Sequence, residues 1–101
     1  MVRRLRALVP DRSMMSLEGV QPNPSDGPML VAFSLAGVGA ASLDLLDVTG
    51  RWLMRREVGS LGAGRHFVRL DEAAERLRAG LYFLQLTQGR NVRTAKIVIV
   101  R

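Results

Sequence analysis

Short runs in which apolar and polar residues alternate recur along most of this 101-residue chain. Alternation with a period of two residues is typical of a β-strand that buries one face. The runs predict six or seven strands, separated by segments rich in glycine, proline and small polar residues. The predicted strands are residues 16–20, 29–35, the two arms of 43–56, 65–71, 80–87 and 92–101.

The spacing of these strands indicates the fold class. They recur about every eight to twelve residues with turn signals between them, which is the pattern of an antiparallel β-sandwich. A small barrel is the competing architecture. Residues 21–28 contain three prolines, which excludes a helix or a central strand there. Residues 72–79 have helical composition but are too few for a stable helix, so we expect a single turn or a loop anchored by Leu77.

The apolar positions of the strands predict one core between two sheets. Each side chain that moves inside contributes about 1.5–3 kcal/mol. The sequence contains enough such positions to fold one domain, and it leaves little apolar surface for a binding site. The predicted core is Phe33, Leu43, Leu45, Leu53, Val68, Leu70, Tyr82, Leu84, Ile97 and Ile99.

Residues 43–56 predict a β-hairpin around which the other strands are arranged. Thr49 and Gly50 interrupt the alternation, and we expect them to form a two-residue turn in which Gly50 adopts a positive φ. Asp47 lies where a short carboxylate can accept backbone N–H groups of the turn and fix the register. Trp52, the only tryptophan, either packs at the edge of the core or is exposed as an interaction anchor, and we favour packing.

Composition and charge exclude several classes of function. The chain has no cysteine, so disulfides, thiol nucleophiles and thiolate metal sites are excluded. The net charge is +6, but outside the N-terminal residues the basic side chains are scattered among acidic ones, and only one tyrosine is present. Nucleic-acid binding requires a basic stripe with aromatic stacking platforms. We therefore predict no nucleic-acid partner.

The residues that could carry chemistry do not form a catalytic or metal-binding pattern. His66 is the only histidine, and we interpret it as a half-buried strand residue whose ring bonds a nearby backbone group. The acidic residues at positions 71, 72 and 75 are expected to lie in a solvated loop. The glycines at 59, 62 and 64 join two strands, whereas a phosphate-binding loop needs a following helix. The sequence predicts no enzyme activity and no cofactor or metal.

Residues 1–15 are interpreted as a disordered leader or the remnant of an upstream region, and residues 16–101 as one domain. The apolar run near the N-terminus is interrupted by Arg6 and ended by Pro10, so it is too short for a secretory signal peptide. No segment approaches the ~20 apolar residues of a membrane-spanning helix. We therefore predict no transmembrane segment.

Five short motifs, each present once, occur in a characteristic order over residues 17–101. They are Asn23-Pro24 ahead of the first long strand; D-x-x-G-R at Asp47, Gly50 and Arg51; G-x-H at Gly64 and His66; L-x-x-G-x-Y-F with Gly80 and Tyr82; and T-x-K ending at Lys96. Together they resemble the C-terminal sorting domain recognised by the type IX (Por) secretion system of the Bacteroidetes group. They are also similar to the related immunoglobulin-like domain of flagellar hook-capping proteins.

The resemblance implies an immunoglobulin-like sandwich that is not a catalyst. Such a domain directs a larger secreted protein, the N-terminal cargo to which it is covalently attached, across the outer membrane. The implied partners are the outer-membrane secretion machinery and a sortase-like protease that removes the domain. The implied location is secreted or at the cell surface, through the periplasm, if the upstream region supplies a signal peptide. The alternative is an immunoglobulin-like structural or adhesive module of the hook-capping type.

Overall fold

The computed structural model describes residues 14–71 and 76–101, and in these ranges the chain forms seven β-strands. The strands are β1 (Ser16–Gln21), β2 (Leu30–Leu35), β3 (Ala41–Asp47), β4 (Trp52–Glu57), β5 (Gly64–Arg69), β6 (Gly80–Gln88) and β7 (Asn91–Ile99). One 3-10 turn, Gly59–Leu61, connects β4 to β5. Most of the predicted leader, and residues 72–75 of the predicted turn, lie outside the described residues.

The strands form two antiparallel sheets that pack face to face. One sheet has the order β1-β2-β5 and the other the order β4-β3-β6-β7. In the second sheet β3, β6 and β7 occupy the places of strands C, F and G of the immunoglobulin fold, and β4 that of C′. The prediction of an all-β, immunoglobulin-like sandwich is therefore confirmed.

The side chains between the two sheets form one core. Most of the predicted core is buried there: Phe33, Leu43, Leu45, Leu70, Tyr82, Leu84, Ile97 and Ile99. Val68 is half-buried against the core, and so is Leu77, as predicted for an anchor of the connection before β6. The core also takes in Met29, Val31, Leu35, Val58 and Leu86. Within β2 and β6, the alternation of apolar residues places every second side chain between the sheets.

The β3–β4 hairpin departs from the predicted turn. Asp47 N–H donates to the Arg51 carbonyl, and Gly50 N–H donates to the Asp47 carbonyl, both at 3.0 Å. These bonds enclose three residues, 48–50, with Gly50 at a φ of +89°. The predicted two-residue turn is wrong, whereas the predicted positive φ of Gly50 is confirmed. A three-residue loop with glycine in the left-handed region is the next most common hairpin connection.

A β-bulge in β4 compensates for the longer loop. Leu46 pairs with Trp52 but Leu45 pairs with Met54, so Leu53 has no partner on β3. Without this extra residue, the face of every later side chain in β4 would be reversed. The prediction that Leu53 lies in the core is therefore wrong, since Leu53 is exposed and Met54 packs against the core instead.

The segment after β1 crosses from the first sheet to the edge of the second. Ser25 N–H donates to the Val98 carbonyl at 2.9 Å, and Val100 N–H donates to the Ser25 carbonyl at 2.8 Å. This short parallel bridge covers the C-terminal half of the outer edge of β7. The proline-rich residues 21–28 thus contain no helix or central strand, as the sequence predicted, and they cross between the sheets and close part of a sheet edge.

Candidate functional site

The ten motif residues lie at two ends of the sandwich. Asp47 pairs with Tyr82, and Gly80 pairs with Ile99, which the Ser25 bridge also contacts. These pairs define one end, here called the hairpin end. The motif residues at or near it are Asn23, Pro24, Asp47, Gly50, Arg51, Gly80, Tyr82 and Lys96. Gly64 and His66 lie towards the opposite end, because Gly64 pairs with Leu35 at the far end of β2.

Asp47 holds the turn of the hairpin end through its carboxylate. Its Oδ1 accepts the Thr49 hydroxyl at 2.6 Å, the Thr49 N–H at 2.9 Å and the Arg51 N–H at 3.0 Å. The Arg51 guanidinium adds an exposed ion pair at 3.5 Å. The pKa of Asp47 is held below its usual value, first by the Thr49 hydroxyl and then by the Arg51 backbone N–H. The carboxylate therefore has a structural role in shaping this turn.

Asn23 and Lys96 meet at the outer edge of β7. The Asn23 side-chain amide donates to the Lys96 carbonyl at 2.9 Å, and its Oδ1 accepts the Val98 N–H at 3.0 Å. The side chain thus substitutes for one residue of a neighbouring strand. The ammonium group of Lys96 belongs to an exposed side chain on the outer face of the sheet. The contact between the two motif residues is made by the Lys96 backbone.

Gly80 and Tyr82 shape the start of β6. Gly80 has a φ of +155°, and Tyr82 is buried with its hydroxyl donating to the Arg78 carbonyl at 2.8 Å. A tyrosine at this strand whose hydroxyl bonds backbone a few residues upstream is the tyrosine corner of immunoglobulin-like sandwiches. The Tyr82 hydroxyl has its hydrogen-bond partner within the domain, so its role is to stabilise the fold.

His66 serves the fold at the opposite end. Its Nε2 donates to the Gly62 carbonyl at 2.7 Å, and its ring lies 5.7 Å from the Phe33 ring, tilted by 49°. The interpretation of His66 as a half-buried strand residue bonded to nearby backbone is confirmed. Gly64 is half-buried at the start of the same strand, with a φ of +111°.

Sequence reasoning missed a buried carboxylate on the outer face of the four-stranded sheet. Asp44 is 1% exposed, and it accepts from Arg55 Nε at 2.9 Å and from the terminal guanidinium nitrogen at 3.3 Å. The Arg55 guanidinium also lies 3.9 Å from the centre of the Trp52 ring, an arrangement that favours the cation. Asp44 raises the pKa of Arg55 by this hydrogen bond. The hairpin register places Asp44 opposite Arg55, and this pairing of opposite charges is the sequence signal that could have identified the ion pair.

Apolar side chains are exposed beside this ion pair. Trp52 is 55% exposed, so the favoured expectation that it packs at the edge of the core is wrong and the alternative of an exposed side chain is correct. It begins a cross-strand row on the outer face that continues through Leu46 and Phe83 to Lys96. Leu81 is exposed on the same face of β6, and Val48 is exposed in the adjoining turn. We call Leu46, Val48, Trp52, Leu81 and Phe83 the tip surface. Exposed and half-buried apolar side chains that lie on one face in this way are typical of protein–protein contact surfaces.

Residues 14–71 and 76–101 contain no group of three or more histidine, aspartate or glutamate side chains positioned to hold a metal ion. In those ranges, no helix has the length and apolar character needed to cross a membrane. The strongest candidate for a functional site is the tip surface, because Val48, Trp52 and Leu81 are large apolar residues that remain exposed.

Comparison with known families agrees with the order of the motifs. The family described as the secretion system C-terminal sorting domain matches residues 19–100, which include nearly all of the sandwich. The comparison with curated proteins found no match. The match covers most of the chain, and so this protein belongs to the family of C-terminal sorting domains of the type IX secretion system.

Proposed function

We propose that this domain directs the export of a larger protein, covalently attached on its N-terminal side, across the outer membrane by the type IX secretion machinery. The family match over residues 19–100 carries this proposal, because it spans the fold and not a single motif. Family membership implies a secreted or outer-membrane-associated protein. The domain acts by being recognised and not by catalysis, and a sortase-like protease removes it after export.

The tip surface is the part of the domain that we propose the machinery contacts. Its members Val48, Trp52 and Leu81 are exposed, and Leu46 and Phe83 are half-buried, although the core already contains most of the large apolar residues of the strands. Arg51, 76% exposed at the side chain, lies beside it in the turn. Aromatic and arginine residues are the side chains that most often dominate protein contacts. The turn residues Asp47 and Gly50 support this surface by fixing its shape.

The function can be tested by transplanting the chain. A periplasmic reporter with its own signal peptide is fused to residues 1–101 and produced in a host that has type IX machinery. We expect the reporter at the cell surface or in the medium, and in the periplasm when the machinery is deleted. A folded fusion that remains periplasmic in the intact host would refute export. It would favour the structural module of the hook-capping type.

Two aromatic variants test the tip surface itself. Trp52→Ala should reduce export, because Trp52 is 55% exposed in the tip surface. Phe67→Ala is the matched control, since Phe67 is 56% exposed on the other sheet and should export normally. Equal export of both variants would show that the machinery contacts another part of the domain. Thermal melting of each fusion checks that the sandwich is folded.

A further inference from the structure

One half of the outer edge of β7 is open. Along an antiparallel strand, alternate residues direct their N–H and C=O groups away from the partner strand. In β7 these are the even-numbered residues, because Lys96 and Val98 bond outward to Asn23 and Ser25. The register with β6 has no shift, so Val92 and Thr94 also point outward.

The outward groups of the first half of β7 have few partners. Arg93 donates a guanidinium N–H to the Val92 carbonyl at 3.0 Å. Within the described part of the chain, no bond is made by the N–H and C=O of Thr94 or by the N–H groups of Val92 and Lys96. Residues 91–94 are all exposed. Such a row of unpaired backbone groups is a template for an added strand.

The open edge carries a concentration of positive charge. Residues 76–101 contain six basic side chains and no acidic one. The four ion pairs of the described residues are made by arginines earlier in the chain. The exposed side chains of Arg90, Arg93 and Lys96 therefore flank the unpaired backbone, and none of them forms an ion pair with residues 14–71 or 76–101.

We propose that residues 92–96 of β7 bind an extended, acidic segment of a partner protein, which adds a fifth strand to the four-stranded sheet. Main-chain hydrogen bonds supply the contact, and carboxylates of the segment pair with Arg93 and Lys96. Five residues of extended chain span about 17 Å, the length of an ordinary strand. A lipid surface would use the charges but would leave the backbone groups unpaired, so the unpaired edge favours a peptide.

This inference goes beyond the proposed export function, and it concerns the backbone edge of β7, whereas the tip surface lies on the outer face of the sheet and adjoins that edge only where Phe83 pairs with Lys96. The bound segment would lie in the plane of the sheet beside β7, whereas Trp52 is on β4 at the opposite edge. Loss of binding at β7 would leave the export experiment unaffected, and failure of export would leave this binding intact. The two ideas can therefore fail independently.

The test uses the full 101-residue chain, labelled with nitrogen-15, and a capped decapeptide of alternating threonine and glutamate. Titration should shift the amide signals of Val92, Thr94 and Lys96 and slow their hydrogen exchange. The affinity should fall as salt is added, because the contact is partly electrostatic. A peptide that is N-methylated along both backbone edges has no amide N–H left to donate and should not bind. Equal binding of the methylated peptide would overturn the proposal.

Matched variants separate edge pairing from general charge. Arg93→Glu with Lys96→Glu should weaken peptide binding by at least about tenfold. Arg76→Glu with Arg78→Glu makes the same charge change away from the edge and should have little effect.

Thr94→Pro removes an outward N–H without removing a bond to β6, and it should abolish binding in a domain that still melts cooperatively. Equal losses in the two charge variants would overturn the proposal, as would binding to phosphatidylglycerol vesicles with none to the peptide.

Discussion

At the scale of single residues, a few side chains and glycines determine the shape of the turns and loops that connect the strands. Asp47 accepts three hydrogen bonds within its own turn. Gly59 lies so close to Gly39 and Ala41 that a Cβ there would overlap their backbone atoms. The motif residues at these connections therefore need no catalytic role to account for their chemical type.

Replacing Gly59 by alanine should destabilise the domain by about 1–3 kcal/mol, because the added methyl group must displace backbone atoms. Urea unfolding measures this change. Gly27→Ala is the matched control: a Cβ there meets no atom within 4 Å, and its φ lies outside the left-handed region. Equal losses in the two variants would show that the close approach at Gly59 is not the cause.

Thr49→Val should raise the pKa of Asp47 towards the ordinary carboxyl value, because the Thr49 hydroxyl is the largest cause of its lowering. A lowered pKa in the folded state stabilises the domain above the unfolded pKa, and this contribution is lost as the pH falls through the folded pKa. The variant should therefore lose stability at neutral pH, with the difference disappearing in acid. Carbon-13 NMR titration of the Asp47 carboxyl measures the shift, and Thr49→Ser should preserve it.

At the scale of the elements, two irregular features determine how the four-stranded sheet is built. The bulge at Leu53 restores the register that the three-residue loop shifts by one, and so keeps Met54 against the core. The crossing segment after β1 covers part of β7 with one side chain and one residue of backbone. The bulge determines which face of β4 is exposed to solvent, and the crossing segment determines which part of the β7 edge is exposed.

Asn23→Ala should expose the C-terminal half of the β7 edge. The variant loses two hydrogen bonds, which corresponds to about 1–3 kcal/mol. Hydrogen exchange of the Val98 amide should accelerate, and the melting temperature should fall. Asn91→Ala is the control, because Asn91 is exposed and its side chain forms no hydrogen bond with the described residues. Unchanged exchange at Val98 in the Asn23 variant would contradict the assignment of Asn23 to this edge.

At the scale of the whole molecule, one apolar core holds the two sheets together, and the exposed apolar residues lie outside it. Two leucines of β6 illustrate the division. Leu84 is completely buried between the sheets, whereas Leu81 is 37% exposed on the outer face. The buried Leu84 stabilises the fold, whereas the exposed Leu81 is available for contact with another protein.

Leu84→Ala should destabilise the domain by about 2–5 kcal/mol, because it removes buried methyl groups and leaves a cavity. Leu81→Ala makes the same chemical change on the outer face and should cost less than about 1 kcal/mol. Chemical unfolding of both variants measures the difference. Similar losses would mean that Leu81 also supports the core.

The alternation of apolar and polar residues was enough to predict the seven strands and most of the core, because the period of two directly reports which face of a strand is buried. The role of His66 was also accessible, since a lone histidine within a strand has few chemical alternatives. The placement of Leu53 and Trp52 was not accessible. Both depend on the bulge in β4, and a bulge is determined by how β4 fits the core and not by its own pattern of residues.

By itself, the sequence determined the fold class, the absence of thiol chemistry and the family, since each follows from residue types in a linear order. Only the tertiary structure decided which parts of the surface are available. It buried Asp44 beneath Arg55 and exposed Trp52 beside them. It covered one half of β7 and left the other half open. These outcomes depend on contacts between residues distant in sequence, and no local pattern along the chain specifies which distant groups will meet.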